Sequence, residues 1–349
     1  MHFSENDYKE YIKIYKNNLS MGISFDALFE LCHMELEKKR WLLDKIHGDK
    51  KYDQFPVNVV DFIDDYTRHL LLVFFILNST NNMFSYVNKN FIDEYVKNES
   101  EIEGVNDLSM HGQEEMDGLE AMYRYINSGE NEYSTGSIIL TDLHEKLYSC
   151  AEGGIYARSY RTDTRFLPGS GVELEYPECI VRSMRVADKQ FDELYELSEK
   201  MFNSKIEKRI QMVNPFLEKL MDYKAELVRI HPFPDGNGRS IRGITNFLLE
   251  RAGLPPVYVK AEEKSKYYEA MNKAIVDKDN RYLIGFYKNK LCDSIEELVI
   301  NPFEQAINMY KDNEKHKDDN KPDGNNVKRL FLYNDNISKS KSKDENEEK

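Results

Sequence analysis

The sequence is poor in cysteine and has no long apolar run. Its 4 cysteines among 349 residues show no CxxC spacing, which is typical of a reducing compartment and argues against a disulfide framework or a cysteine zinc site. The strongest apolar run, residues 70–77, is far too short to span a bilayer. We therefore expect no membrane partner.

Positive charge is also scarce. The chain has 48 Lys and Arg against 62 Asp and Glu, a formal net charge of −14 at pH 7. A nucleic-acid surface needs clustered basic residues, so this balance argues against a nucleic-acid partner. The first ten residues, MHFSENDYKE, are polar and acidic and show no secretory signal. We expect a cytoplasmic protein, with export as an effector left open.

Helical periodicity dominates the rest of the chain. It predicts an N-terminal helical region over residues 1–97 and a mainly α core over 98–305. Short alternating pieces flank the turn signal PGSG, so residues 162–177 favour a β-hairpin, with a plain surface ribbon as the alternative. Residues 306–349 are charged and poor in apolar side chains, which predicts a disordered tail.

The most chemically loaded stretch is HPFPDGNGRSIR, residues 231–242. A helical pattern ends at His231, because the following Pro232 disfavours helical geometry in the residue before it. Gly236 and Gly238 allow a tight loop, and a new helix begins near Gly238. The loop therefore leads onto a helix N-terminus, where unpaired N–H groups favour an anion such as phosphate.

The side chains of this stretch suit the same anion. Arg239 and Arg242 lie three residues apart and share a helix face, and a guanidinium fork matches phosphate oxygens. Asp235 is a hard oxygen ligand that would suit Mg²⁺ beside phosphates. Asn237 can donate an amide N–H to a phosphate oxygen, and His231 can accept a proton near neutral pH. PDGN alone would be ordinary turn chemistry, so the prediction depends on the full string.

The string resembles the signature of the Fic family, HPFx(D/E)GN(G/K)R, at every position. Arg242 matches the longer form that ends RxxR. LTDLHEKL and GGIYARSYR are similar to the family's helix and the run into its flap, and KYYEAM is similar to the helix near the adenine pocket. The resemblance covers roughly residues 98–300. It implies a Fic-type helical bundle whose flap is the hairpin at 162–177, preceded by the N-terminal helical region.

What the resemblance implies is transfer of AMP from ATP to a Ser, Thr or Tyr hydroxyl of a target protein, with release of pyrophosphate. His231 would be the general base, and Asp235 would hold Mg²⁺. Tyr268 would line the adenine site. The implied phosphate ligands are Gly236, Asn237, Gly238, Arg239 for the β-phosphate and Arg242 for the γ-phosphate. Because family members often dimerise through the helical core, we also expect a homodimer.

A segment upstream resembles the family's autoinhibitory helix, (S/T)xxxE(G/N). In NESEIEGVN, residues 98–106, Glu103 and Gly104 match the end of that pattern, and we place the helix at about 98–110. Glu103 would pair with Arg242 and block the γ-phosphate site. Four places earlier stands Glu99 instead of Ser or Thr, so the helix anchor departs from the pattern. A solvated acidic helix is the alternative.

Other functions remain open at this point. The same fold could transfer UMP or phosphocholine, or remove AMP through Glu103, and self-modification is expected for the leading function. A non-enzymatic interaction module is disfavoured, because no catalytic position of the signature is missing.

Overall fold

The computed structural model describes residues 67, 70, 71, 74, 75, 83–104, 110–128, 134–150, 158–167 and 173–297. Short 3₁₀ turns lie at Pro177–Cys179 and Ala261–Glu263. The mainly α prediction is confirmed, since these ranges contain eight α-helices. They are α1 Met83–Glu103, α2 Met110–Ile126, α3 Gly136–Leu147, α4 Ile180–Phe202, α5 Ile206–Ile230, α6 Asn237–Arg251, α7 Lys264–Val276 and α8 Arg281–Ile295.

Helix α6 lies at the centre of the bundle and packs against α2, α3, α4 and α5. Its apolar residues, such as Ile241, Phe247 and Leu248, are buried, as an interior helix requires. Arg239 and Arg242 are buried in the same helix. Because a buried charge is costly without a partner, the first turns of α6 demand acidic neighbours.

The ends of the two motif helices follow the sequence signals. Helix α5 stops at Ile230, two residues before Pro232. Helix α6 is followed by Gly253, which has φ +76°, and Leu254 donates its N–H to the carbonyl of Leu249 at 2.9 Å. This is the glycine-terminated Schellman ending that the sequence predicts.

Part of the N-terminal region belongs to the same core. Five residues of the predicted N-terminal helical region are helical and buried, at the spacing of a single helix face: Thr67, Leu70, Leu71, Phe74 and Phe75. The hydroxyl of Thr67 lies 3.3 Å from the sulfur of Cys292 on α8. The earlier predicted helices and the predicted tail at 306–349 lie outside the described residues.

Helix α1 departs from the predicted bounds. It begins at Met83 and ends at Glu103, so it runs unbroken across the expected domain boundary at 97/98 and stops short of residue 110. Gly104, with φ +76°, donates its N–H to the carbonyl of Glu101 at 3.1 Å and ends the helix. The prediction of one helix over 98–110 is therefore wrong at both ends.

The described residues of the predicted hairpin form a single β-bridge instead of two paired strands. Its two arms meet in one antiparallel bridge between Phe166 and Glu173, and Leu174 donates its N–H to the carbonyl of Arg165 at 2.9 Å. The described parts of the arms form no strand, and residues 168–172 at the turn lie outside them. None of the described helices has the length and apolarity needed to cross a membrane.

Candidate active site

His231 caps the C-terminal end of α5 in a left-handed conformation, with φ 49° and ψ 61°. Its backbone N–H still bonds the carbonyl of Leu227 at 2.9 Å, so the ring leaves the helix at a fixed point. Burial, together with the charges of Arg161 and Arg165, lowers the pKa of His231 to about 4. The imidazole is therefore neutral at pH 7 and able to accept a proton.

The loop after His231 is braced from within. Asn237 accepts the N–H of Phe233 at 2.9 Å and donates its amide to the carbonyl of Phe233 at 2.7 Å. The ring of Phe233 stacks on His144, with centroids 3.8 Å apart, and His144 Nε2 lies 3.0 Å from the carbonyl of Asp235. The Asn237 side chain therefore closes the loop with its oxygen and one of its two amide N–H groups. Its role as a phosphate ligand stays a prediction.

The loop ends at Gly236, the N-cap residue of α6, with φ +72°. A Cβ at this position would lie 2.9 Å from the ring and hydroxyl of Tyr148, so both the backbone angle and the space require glycine. The chain backbone can therefore approach Tyr148 closely where α6 begins, and the first N–H groups of α6 have no partner within the helix.

Asp235 presents an exposed carboxylate, 71% accessible in its side chain, at the same end of α6. The hydroxyl of Tyr148 donates to its Oδ2 at 2.8 Å. Burial works against ionisation, but this hydrogen bond, the Gly236 N–H and the charge of Arg239 together lower the pKa of Asp235. The carboxylate is therefore ionised at neutral pH.

The oxygen ligands around Asp235 fit Mg²⁺ only if phosphate oxygens also bind the ion. The described residues contain no group of three or more His, Cys, Asp or Glu side chains that could enclose a metal. Mg²⁺ beside a nucleotide takes one or two carboxylates and completes its shell with phosphate oxygens and water. One exposed, ionised carboxylate next to an anion site meets that requirement.

Arg239, the first arginine of the motif, is buried, with a side chain 5% exposed. It forms an ion pair with Glu115 of α2. Its Nη2 also lies 3.5 Å from both the Tyr148 hydroxyl and the Asp235 carboxylate. The guanidinium is thus held facing the loop by groups from α2 and the end of α3.

Arg242, the second arginine, meets two carboxylates of α1. Its Nε donates to both oxygens of Glu99 at 2.8 and 2.6 Å, and its Nη2 donates to Glu103 at 2.8 Å. Glu99 is completely buried, whereas the Glu103 side chain is 30% exposed. Glu99 therefore holds the inner edge of the guanidinium, and Glu103 holds the edge nearer solvent.

The Glu103 carboxylate also lies at the anion-binding end of α6. A Cβ on Gly238 would be 3.3 Å from Glu103 Oε1 and 3.0 Å from Arg242 Nη1. The end of α1 is fixed there by Lys264, whose ammonium donates to the carbonyl of Ile102 at 2.5 Å. A carboxylate thus stands where the helix terminus and Arg242 would attract a phosphate.

Tyr268, on α7, borders this cluster with 39% of its surface exposed. Burial and then the neighbouring Glu103 carboxylate raise the pKa of its hydroxyl. Its ring lies beside Tyr267 and beneath the ammonium of Lys264, 5.9 Å from the centroid. An exposed ring at the edge of the anion site agrees with a place for a nucleotide base.

Part of the chain matches a known protein family. A profile of the Fic/DOC family matches residues 137–249, which contain nearly all of α3 and α6, the flap and His231. Residues 137–249 therefore carry a Fic domain. The chain is 51% identical over 55 residues to the protein adenylyltransferase Fic of Nematostella vectensis, and 31% identical over 180 residues to that of Aedes aegypti.

These Fic relatives are much longer than the matched regions. The matches cover 16% and 49% of this chain but only 12% and 31% of the two relatives. Among solved structures, Fic-1 from C. elegans matches with a TM-score of 0.52 at 21% identity, covering 67% of this chain and 69% of that one. A Fic-domain protein from Bacteroides thetaiotaomicron matches with a TM-score of 0.54 at 18% identity, covering 66% and 94%. At this identity the structures support the fold.

The sequence analysis did not predict the contacts of four residues at this site. Glu115 and Tyr148 carry no motif signal, and their contacts with Arg239 span 124 and 91 positions. Arg161 ends the run GGIYARSYR, but nothing in that run predicts its contact with His231, 70 positions away. Glu99 did carry one, because it stands where the inhibitory pattern has Ser or Thr. A carboxylate at that position gains a direct ion pair with Arg242, which explains how the anchor can differ from the pattern.

Proposed function

We propose that this chain is a Mg²⁺-dependent protein adenylyltransferase. It transfers AMP from ATP to a Ser, Thr or Tyr hydroxyl of a target protein, releases pyrophosphate, and is restrained by Glu103. The observation that carries the proposal is the meeting of a neutral, half-buried His231 with a helix N-terminus that is flanked by two buried arginines and an ionised Asp235. The family relatives named protein adenylyltransferase agree with this chemistry.

The proposed reaction begins with proton removal. A target hydroxyl with a pKa above about 10 is a weak nucleophile at neutral pH, so it needs a positioned base. His231 takes the proton as the hydroxyl oxygen attacks the α-phosphorus of ATP. The bond from the α-phosphorus to the bridging oxygen of pyrophosphate breaks, and pyrophosphate departs with both electrons of that bond.

Charge that develops on the phosphates is met by fixed donors. The N–H groups around Gly236 and Gly238, where α6 begins, are assigned to the phosphate oxygens. Arg239 is assigned to the β-phosphate and Arg242 to the γ-phosphate. The Asn237 side chain shapes the loop that carries those N–H groups, and its second amide N–H is assigned to a phosphate oxygen.

Asp235 would hold Mg²⁺ beside the phosphates of the nucleotide. The ion would supply charge neutralisation of the phosphates and of the leaving pyrophosphate. Tyr148 keeps the carboxylate oriented through its hydrogen bond to Oδ2, and it packs over the Gly236 backbone.

Glu103 is assigned as a brake on this site. Its carboxylate occupies Arg242 Nη2 and the first turn of α6, both of which a γ-phosphate would need. Glu99 stays on the opposite edge of the guanidinium when Glu103 turns away, so Arg242 keeps its orientation. Release of the brake then requires rotation of one side chain and leaves α1 in place.

The deciding experiment is nucleotide transfer by the purified chain. Equal concentrations of ATP, UTP and a phosphocholine nucleotide compete in one reaction with Mg²⁺, and mass spectrometry identifies the group added to the chain itself. We expect addition of AMP, and no addition by His231→Ala. Addition of UMP or phosphocholine would replace the proposed donor, and an unchanged signal from His231→Ala would overturn the base assignment.

Two parts of the family resemblance remain predictions. Removal of AMP from a modified target would use the same Glu103, and the test adds an AMP-modified substrate to the wild-type chain. Homodimerisation through the helical core is tested by light scattering across a range of protein concentrations.

A further inference from the structure

Arg161, at the start of the flap segment, is almost fully buried, with 2% of its surface exposed. Every hydrogen bond of its guanidinium goes to a backbone carbonyl: His231 at 2.7 Å, Ile230 at 3.2 Å, and also Asp163 and Glu175. A planar fork with five N–H donors can satisfy four carbonyls at once, which an ammonium group cannot.

These carbonyls join three parts of the molecule. Those of Ile230 and His231 belong to the C-terminal end of α5, where helical carbonyls lack internal partners and the helix dipole favours a cation. Those of Asp163 and Glu175 belong to the two arms of the flap. One side chain therefore connects the first arm, the second arm and the turn that carries His231.

Backbone contacts run in parallel with the guanidinium. Arg161 donates its own N–H to the carbonyl of Pro232 at 2.8 Å, and Glu175 donates its N–H to the carbonyl of Arg229 at 3.1 Å. Each flap arm is therefore bonded to the end of α5 through its backbone, whereas the described residues of the two arms share a single bridge.

The left-handed backbone conformation of His231 explains why the contact with Arg161 matters. A non-glycine residue with positive φ is strained and persists only where its surroundings fix it. Arg161 bonds the carbonyls of Ile230 and His231, so it holds the two peptide units that flank the His231 Cα atom. Its backbone N–H bonds the carbonyl of Pro232, in the next peptide unit.

We propose that Arg161 is a positioning residue for AMP transfer: it locks the flap to the His231 turn, so that a target segment lying on the flap meets the base at a fixed distance. The inference rests on the proposed function, because it assigns the flap to the target and His231 to the base. The charge of Arg161 has a second effect, since it helps to keep His231 unprotonated. Arg165 acts in the same direction and Asp235 in the opposite one.

The test uses Arg161→Gln and Arg161→Lys, both in the Glu103→Gly background, with Arg158→Gln as the matched control. Arg158 lies in the same segment but is half-exposed and pairs with the side chains of Asp142 and Glu145. The readouts are the rate of self-modification from ATP labelled at the α-phosphate, the KM for ATP, and the pH dependence of kcat/KM.

We expect kcat to fall roughly 10- to 100-fold in both variants, as for a misplaced reacting group. The KM for ATP should stay within about twofold, because Arg161 does not touch the phosphate site. The acid limb of kcat/KM should move to higher pH in Arg161→Gln and stay in place in Arg161→Lys, which retains the charge. The Arg158→Gln control should match its parent in all three readouts.

An unchanged kcat in both variants would overturn the proposal. So would a loss of kcat accompanied by an equal rise in the KM for ATP, a lower melting temperature and an unmoved acid limb, since that pattern indicates a merely structural role. Titration of His231 by NMR, with its signal assigned through His231→Ala, gives a readout independent of catalysis. If the parent chain transfers no AMP, the proposed function fails, while an upward shift of the His231 midpoint in Arg161→Gln still supports the electrostatic contact.

Discussion

Replacement of Glu103 by glycine is the sharpest perturbation of the proposed brake. The wild-type carboxylate lies 2.8 Å from Arg242 Nη2 and beside the first turn of α6, with a side chain 30% exposed. Glycine removes this contact at the last residue of α1, next to Gly104, where the helix already ends. Arg242 keeps its bonds to Glu99, so the guanidinium should remain in the site.

The size of the effect follows from the bond that is lost. A hydrogen bond to a charged group contributes about 1.5–3 kcal/mol. ATP must replace that bond in the wild-type chain but not in the variant. At 1.4 kcal/mol for each factor of ten, the variant should bind ATP productively roughly 10- to 100-fold better.

The assay is self-modification with ATP labelled at the α-phosphate, measured as an initial rate over a series of ATP concentrations. Glu103→Gln is the near-isosteric companion, and Glu101→Gly is the control for a glycine placed in the last turn of α1, because Glu101 is exposed. We expect a faster rate at low ATP in both Glu103 variants only. If neither exceeds the wild type while all variants share its melting temperature, the brake does not operate.

The remaining predictions concern stability, the loop, pH and the metal. Glu99→Gln should lower the free energy of unfolding by about 3 kcal/mol in urea titrations, because it leaves a buried arginine charge without its inner partner; an unchanged midpoint would contradict this. Gly236→Ala should reduce transfer more than tenfold, since its Cβ would lie 2.9 Å from Tyr148 and φ is +72°; a fully active variant would refute the close approach. With the pKa of His231 lowered to about 4, kcat/KM should fall only as pH drops through about 4, and a fall centred near pH 6.5 would contradict the burial argument. The contribution of His231 to the free energy of unfolding should be complete above about pH 6.5 and lost between pH 6.5 and 4. Chelation of Mg²⁺ should stop transfer, as should Asp235→Ala, and retained activity in both would remove the metal from the proposal.

Local signals in the sequence were enough to predict the helices and the turn at the motif. Pro232 predicts the end of α5, Gly253 predicts the ending of α6, and the two motif glycines predict the tight loop between them. Each of these depends on backbone geometry within a few residues. The structure agrees at all of these places.

Partners distant in the chain were not predictable in the same way. Asn237 is predicted to bind a phosphate because its amide can donate, and no pattern in the sequence indicates that the same amide also bonds the backbone of Phe233. The ion pair between Glu115 and Arg239 joins residues 124 positions apart, and no periodicity encodes it. Helix α1 begins at Met83, well before the predicted start at about residue 98, because the inhibitory pattern covers only the last turn of the helix.

The brake and the arginine it occupies are parts of one chain, and this has a kinetic consequence. An intramolecular contact has an effective concentration fixed by geometry, so dilution of the protein does not weaken it. If the closed arrangement is favoured by about 2 kcal/mol, roughly one molecule in thirty is open, and the apparent Kd for ATP rises by about that factor. The basal rate of transfer per molecule would then depend on the ATP concentration, and the open fraction would not depend on the protein concentration.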